Sequence, residues 1–188
     1  MRASLKRLFA TLAVAALLGT GLAFAAPSSK AVRSNEYLSG RVLILLAEIK
    51  KETAELGPHA EALGAIAGNP QYGWQSHASH LDEVKDHINA VRRRIIELHR
   101  IRHAVLPWQD QAILEVDSHA AKVAASTQAA LLYLRENKNG LFAREYRDHL
   151  TTIADSSMDL KETVDKFLDY DKAQQKVRQL QRELELSD

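Results

Sequence analysis

The sequence predicts an all-α fold, an antiparallel four-helix bundle with one longer crossover and an extended C-terminal amphipathic helix. Two observations lead to this prediction. Apolar residues recur three and four positions apart over four long segments, which is the spacing of helices that bury one face. No segment shows the period-two alternation of a half-buried strand, and only 8 glycines are spread over 188 residues.

The first helix is expected from Asn35 to Leu56, with Ser34 as its N-cap residue. Its apolar seam has the spacing of a bundle core and consists of Leu38, Val42, Leu45, Ile49 and Leu56, with Thr53 filling the gap. Gly57-Pro58 is predicted to end the helix, because proline has no amide hydrogen to donate inside a helix.

Residues 58–75 form the predicted longer crossover, with a short helical piece at 59–67. A long ordered loop is often functional. The alternative is that Tyr72 and Trp74 only cover the end of the bundle, and the general tendency of aromatic side chains to bury favours this alternative.

The second helix is expected over 76–105 and the third over 107–136, with Pro107 as the first residue of the third. The seam of the second helix is Leu81, Val84, Ile88, Val91, Ile95 and Leu98. The seam of the third is Ile113, Val116, Ala120, Val123, Thr127, Ala130 and Leu134. Because so short a link cannot cross the bundle, these helices must be antiparallel neighbours.

The fourth helix is expected to start near Leu141, and its length is left open by the sequence. Its apolar side is Phe142, Tyr146, Leu150, Ile153, Leu160, Val164, Phe167 and Leu168. One continuous helix to Leu186 would be about 70 Å long, whereas Asp171 could instead cap a separate helix. Residues 35–168 are therefore the predicted bundle. Residues 169–188 are a predicted C-terminal helical tail that offers a coiled-coil contact to a protein partner or to a second copy.

Residues 1–25 have the three parts of a secretory signal peptide. Arg2, Lys6 and Arg7 form the basic start, the apolar run 8–18 follows, and Ala23-Phe24-Ala25 supplies small residues for cleavage. The apolar run is shorter than the roughly 20 residues of a membrane span, so cleavage is favoured over an uncleaved anchor, and no stable span is expected afterwards. Residues 26–34 are expected to be a flexible leader, and the exported chain is expected in the periplasm or the medium.

Cleavage would change the charge balance. The chain has 25 Lys and Arg and 24 Asp and Glu. Losing three basic residues leaves 22 against 24, a net charge of −2, which argues against a nucleic-acid partner. The chain has no cysteine, which excludes disulfides, an acylated lipoprotein cysteine and covalent haem attachment through Cys-x-x-Cys-His.

Histidine is the residue type that suggests chemistry, since all 8 histidines lie in the predicted exported part. His99 and His103 are four residues apart and His77 and His80 are three apart, so one helix face could present either pair to a transition metal. A pair of His87 and His149 from two helices is a second candidate metal site, although a buried, hydrogen-bonded His149 is the favoured interpretation. His119 and Met158 could serve as axial ligands of a non-covalent haem. The competing interpretation of these histidines is polar residues that border an apolar stripe.

The second helix ends in a basic segment, Arg92-Arg93-Arg94 with Arg100 and Arg102. A helix C-terminus favours cations, and Glu97, Glu115 and Asp117 are expected to neutralise part of this charge. The alternative is contact with an anionic surface.

The sequence contains no motif of an enzyme: HExxH, Glu-x-x-His and a Gly-flanked nucleophile are all absent. We therefore expect a non-enzymatic structural or protein-interaction protein of the cell envelope that needs no cofactor. The alternative is a periplasmic helical bundle that binds a metal or haem through its histidines.

Overall fold

The computed structural model describes residues 29–186. Its helices are α1 (Ser29–Ile66), α2 (Trp74–Ile101), α3 (Pro107–Glu136) and α4 (Arg144–Glu185), with a single 3-10 turn at Arg102–Ala104 between α2 and α3. The described residues include no strand. The predicted signal peptide and the first residues of the predicted leader lie outside the described range. Residues 29–34, also assigned to the leader, are the first turns of α1.

The four helices form an antiparallel bundle, as predicted. α1 packs against α2 and α4, and α3 packs against the same two helices, so that α1 and α3 face each other diagonally. The core runs the length of the bundle and contains the predicted seams of α2 and α3 without exception. Apolar periodicity was therefore sufficient to place these two helices and their buried faces.

The predicted end of α1 at Gly57-Pro58 is wrong, because the helix continues to Ile66. Pro58 has no amide hydrogen to donate to the carbonyl of Ala54. Its ring also clashes with the Cβ of a preceding residue in helical conformation. Gly57 has no Cβ, which removes that clash. The three further turns bury Ala60, Leu63 and Ile66 in the core, and this burial offsets the missing hydrogen bond.

The extension of α1 shortens the predicted crossover to residues 67–73, the same length as the α3–α4 connection at 137–143. Gly68 lies in the left-handed region with a φ of 83°, which a glycine adopts without strain. Trp74 is the first residue of α2 and packs partly buried against the core, whereas the Tyr72 side chain remains 43% exposed.

Pro107 is the first residue of α3, as predicted, but α2 ends at Ile101, four residues before its predicted end, and the 3-10 turn follows it. The buried Gln109 fixes this corner. Its Oε1 accepts a hydrogen bond from the Leu106 amide at 3.2 Å, and its Nε2 donates to the Ser39 carbonyl at 3.1 Å. The start of α3 is thereby tied to α1 across the end of the bundle.

The fourth helix begins at Arg144, three residues later than predicted, and is continuous to Glu185. Phe142 lies before it and is 52% exposed, so it does not belong to the seam. No break occurs at Asp171, which is the last buried residue of α4 and accepts a hydrogen bond from Gln175 Nε2 at 2.5 Å. Beyond it, α4 leaves the bundle and its side chains are exposed, with Gln174 half-buried. None of the helices in the described part is long and apolar enough to cross a membrane.

Candidate functional site

The most buried histidine is His77, the first residue of the predicted His77–His80 pair. It is 1% exposed, and its Nδ1 lies 3.0 Å from the Tyr146 hydroxyl across the bundle core. Burial lowers the pKa of His77, and the nearby His80 lowers it further. Burial also raises the pKa of Tyr146 well above its usual range. Both side chains are therefore uncharged, and they share a hydrogen bond inside an apolar core.

A histidine cluster lies between α1 and α2. His59 Nδ1 and His80 Nδ1 are 3.2 Å apart, and the His59 and His87 rings are stacked at 6.4 Å between centroids. His87 Nδ1 lies 3.0 Å from a carboxylate oxygen of Glu52. The pKa of His80 is lowered, mainly by burial and then by the neighbouring His59. The cluster is half-buried and ordered by contacts within the protein.

Of the predicted metal ligands, His99 and His103 share a shallow surface depression with Arg102 and Asp110. His103 lies in the 3-10 turn, where residues four apart no longer stack on one face. His99 Nε2 instead contacts Asp117 at 2.9 Å, and Arg102, which lies between the two histidines in the sequence, pairs with Asp110. His99 and His103 are close in the sequence, but they do not lie on one face of a continuous α-helix, as the predicted metal site requires.

The structure does not bring His87 and His149 together. α2 and α4 run parallel across the core diagonal, and the His77–Tyr146 contact sets their level. His87 is ten residues beyond His77 and His149 only three beyond Tyr146, which leaves the two about 10 Å apart along the bundle axis. His149 is half-buried rather than buried. The buried, hydrogen-bonded position that was expected of His149 is occupied by His77 instead.

The predicted haem ligands are also placed differently from the expectation. His119 Nδ1 lies 3.6 Å from Asp159, which agrees with the expected level of the two helices. Met158, however, is 57% exposed on the outer face of α4, so its thioether does not face an enclosed site. Among residues 29–186, no group of three or more histidine or acidic side chains is arranged to hold a metal ion.

Part of the charge at the basic end of α2 is neutralised, for the arginines by acids other than those expected. Glu97 pairs with Arg41 at 2.7 Å, and Asp117 pairs with His99. Glu115 lies 3.8 Å from Lys166. Arg94 pairs with Glu48 of α1 at 2.9 Å instead. The basic segment is thus partly built into the contacts between helices.

The exposed end of α4 is the other candidate site. Ala173, Val177, Leu180 and Leu184 follow one another at intervals of four, three and four, the heptad spacing of a coiled-coil seam. Val177, Leu180 and Leu184 are 51%, 49% and 70% exposed. An apolar seam of this kind, on a helix that already extends beyond its own bundle, is the arrangement that a second helix covers.

The burial of His77 could have been predicted from the sequence. His77 lies four residues before Leu81 and so extends the α2 seam by one turn. The His59–His80 contact was missed because His59 had been placed beyond the end of α1. Comparison of the chain with protein families, with curated proteins and with solved structures found no match.

Proposed function

We propose that the chain is an exported, non-enzymatic structural protein of the cell envelope that joins copies of itself through the exposed end of α4. The observation that carries this proposal is the exposed heptad seam of Ala173, Val177, Leu180 and Leu184. Because α4 is continuous from the bundle, this segment does not have to nucleate its own helix on association.

The charges beside the seam favour a second copy in antiparallel orientation. With Val177 and Leu184 at a positions and Leu180 at d, Lys176 and Glu183 occupy the g positions. In an antiparallel pair, g positions face each other, so Lys176 of each copy lies opposite Glu183 of the other. A parallel pair would place both residues opposite e positions, of which Gln181 is one and is uncharged.

The apolar residues match in the same register. Antiparallel pairing sets Val177 opposite Leu180 and Ala173 opposite Leu184, so that a small side chain meets a large one at each end. Glu183 also accepts a hydrogen bond from Gln179 Nε2 at 2.8 Å within its own helix. The interface is short, and we therefore expect weak, reversible association.

A charge exchange tests the proposal on residues 26–188. In sedimentation velocity over a range of concentrations, Lys176→Glu is expected to weaken dimerisation about tenfold, because two attractive contacts become repulsive. Glu183→Lys is expected to do the same. The double variant restores the pairing with its signs exchanged, and dimerisation should return to the level of the unchanged chain.

The matched control is Lys172→Glu, which changes the same charge one turn away and outside the g positions. An equal loss in this control, or no rescue in the double variant, would contradict the antiparallel pairing. A chain that is monomeric at all concentrations would contradict self-association and leave a different protein as the partner of this surface.

Transition-metal binding is a second candidate function, supported by one distance. Two nitrogen ligands of a tetrahedral zinc ion lie about 3.3–3.4 Å apart, given Zn–N bonds of about 2.0–2.1 Å. The Nδ1 atoms of His59 and His80 are 3.2 Å apart without a metal. His87 and Glu52 are adjacent to them and contact each other. Two preformed ligands would give a weaker site than the four of a structural zinc centre.

Calorimetric titration with Zn²⁺ tests this second candidate. We expect one ion per chain, with binding abolished in His59→Gln and in His80→Gln and unchanged in His103→Gln. Equal binding in all three variants would place the metal elsewhere, and the absence of binding to the unchanged chain would remove the candidate.

A further inference from the structure

A groove runs along the surface between α2 and α3. It has a volume of about 610 Å³ and extends from Trp74 to Arg92 on α2 and from Ala124 on α3 to Lys138, two residues beyond the end of α3. Eighteen residues of helix span about 27 Å, so the groove is long and narrow rather than round. Its length follows from the antiparallel packing of two straight helices.

Small side chains open this groove. Ala78 of α2 and Ala124 and Thr127 of α3 line it, where larger residues would have filled the space between the helices. α2 and α3 accordingly contact each other less extensively than the other neighbouring pairs do. Ile88, Leu131 and Leu134 supply the rest of an apolar floor. The floor is the kind of surface that buries a hydrocarbon chain.

The rim of the groove is basic. Lys85, Arg92, Arg135 and Lys138 line it together with one carboxylate, that of Asp82. Lys85 Nζ donates to Asp82 at 2.5 Å, so this acid is already neutralised. The remaining three cations face the groove from both of its ends.

The two cations at the Trp74 end lie three residues apart, Arg135 in the last turn of α3 and Lys138 in the connection that follows it. Lys138 Nζ sits 4.3 Å above the centre of the Trp74 ring, and Arg135 has only a loose, exposed contact with Glu136 at 3.6 Å. Both can approach one anionic group, and Arg135 can bind a carboxylate with two parallel hydrogen bonds.

From this arrangement we propose that the α2–α3 groove binds a long-chain fatty carboxylate. Arg135 and Lys138 bind the head at the Trp74 end, and the chain lies over Ala78 and Ala124 toward Arg92. A cationic amphiphile is disfavoured by the basic rim. An uncharged one gains the apolar floor but not the head contacts, so the carboxylate binds more tightly than the alcohol of equal chain length.

The chain itself supplies a probe for the test. It has two tryptophans, and the Trp108→Phe variant leaves Trp74 as the only one. Trp108 packs against Tyr170 at the opposite end of α3, about 40 Å from Arg135. In this variant, sodium dodecanoate below its micelle concentration is expected to change Trp74 fluorescence saturably, with one molecule bound per chain. Dodecyltrimethylammonium is expected to cause no change.

Two variants in the same background locate the ligand. Arg135→Glu with Lys138→Glu is expected to weaken dodecanoate binding about tenfold and leave dodecanol binding unchanged. Both positions are exposed, so the fold should not depend on them. Ala124→Phe fills the floor and is expected to weaken both ligands, provided that its circular dichroism matches that of the parent.

Arg92→Glu is the matched control, since it removes a rim cation at the far end. The proposal is overturned if dodecanoate binds no more tightly than dodecanol, or if Arg92→Glu weakens dodecanoate as much as the Arg135 and Lys138 exchange does. Because the groove is remote from the end of α4, neither result bears on self-association.

Discussion

At the scale of single residues, Thr127 and His77 are buried polar side chains whose partners lie at very different distances along the chain. Every seam residue predicted on α3 is buried, including Thr127, whose hydroxyl donates to the Val123 carbonyl at 2.8 Å. The sequence pairs His77 with His80 and does not predict its burial, because a histidine on an apolar seam looks like an interruption until its partner is known. That partner, Tyr146, is 69 residues away, and no local pattern connects the two.

The buried His77 should make the stability of the bundle depend on pH. Burial lowers its pKa below the ordinary value of 6.5, so the unfolded chain binds a proton before the folded chain does as pH falls. The stability contributed by the neutral imidazole is therefore complete above pH 6.5 and is lost as pH falls through 6.5 toward the folded-state value. His80, whose pKa is also lowered, acts in the same direction.

We expect the free energy of unfolding to change little just above pH 7 and to fall below about pH 6.5. The fall should be smaller in the His77→Gln variant. Urea unfolding at a series of pH values measures the slope of this free energy against pH for the parent chain and for the variant. His103→Gln replaces an exposed histidine and should leave the slope unchanged. A His77→Gln slope equal to that of the parent would show that another group governs the acid sensitivity.

At the scale of elements, tertiary packing outweighed the local signal at one point. Gly57-Pro58 has the local character of a helix end, yet the heptad spacing continues through Leu56, Ala60 and Leu63. Periodicity was the more informative signal, because burial of a seam is worth more than one backbone hydrogen bond. The same error displaced His59 from α1, and with it the histidine cluster between α1 and α2.

Two glycines of α1 test this account of the Pro58 turn. Both have room for a Cβ, since no atom beyond their chain neighbours lies within 4 Å. Gly40→Ala should stabilise the protein by about 0.5–1 kcal/mol through helix propensity. Gly57→Ala should gain nothing or destabilise, because the new Cβ meets the Pro58 ring. Thermal unfolding of the two variants measures the difference, and equal stabilisation by both would contradict the explanation.

At the scale of the whole molecule, the lengths of the helices decide what is left exposed. At one end of the bundle α2 ends at Ile101 and α3 begins at Pro107. α4 passes this corner at Tyr170, which packs on Trp108, and continues to Glu185. The sequence predicted the tail but could not decide between a continuous and a broken helix. Local signals permit both, and only the packing of Phe167 and Asp171 against the bundle end carries α4 straight through.

Removing residues 172–188 should separate the bundle from the surface by which copies join. All buried residues of α4 precede residue 172, so the shortened chain is expected to keep its melting temperature within about 2 °C, the shift that a few tenths of a kcal/mol would cause. A large loss of stability would show that the tail belongs to the core.

Sedimentation equilibrium of residues 26–188 beside residues 26–171 is the most direct measurement of the central claim. The account predicts a reversible monomer–dimer equilibrium in the longer chain and a folded monomer at every concentration in the shorter one. A shorter chain that dimerises as strongly as the longer one, or a longer chain that stays monomeric throughout, would contradict it.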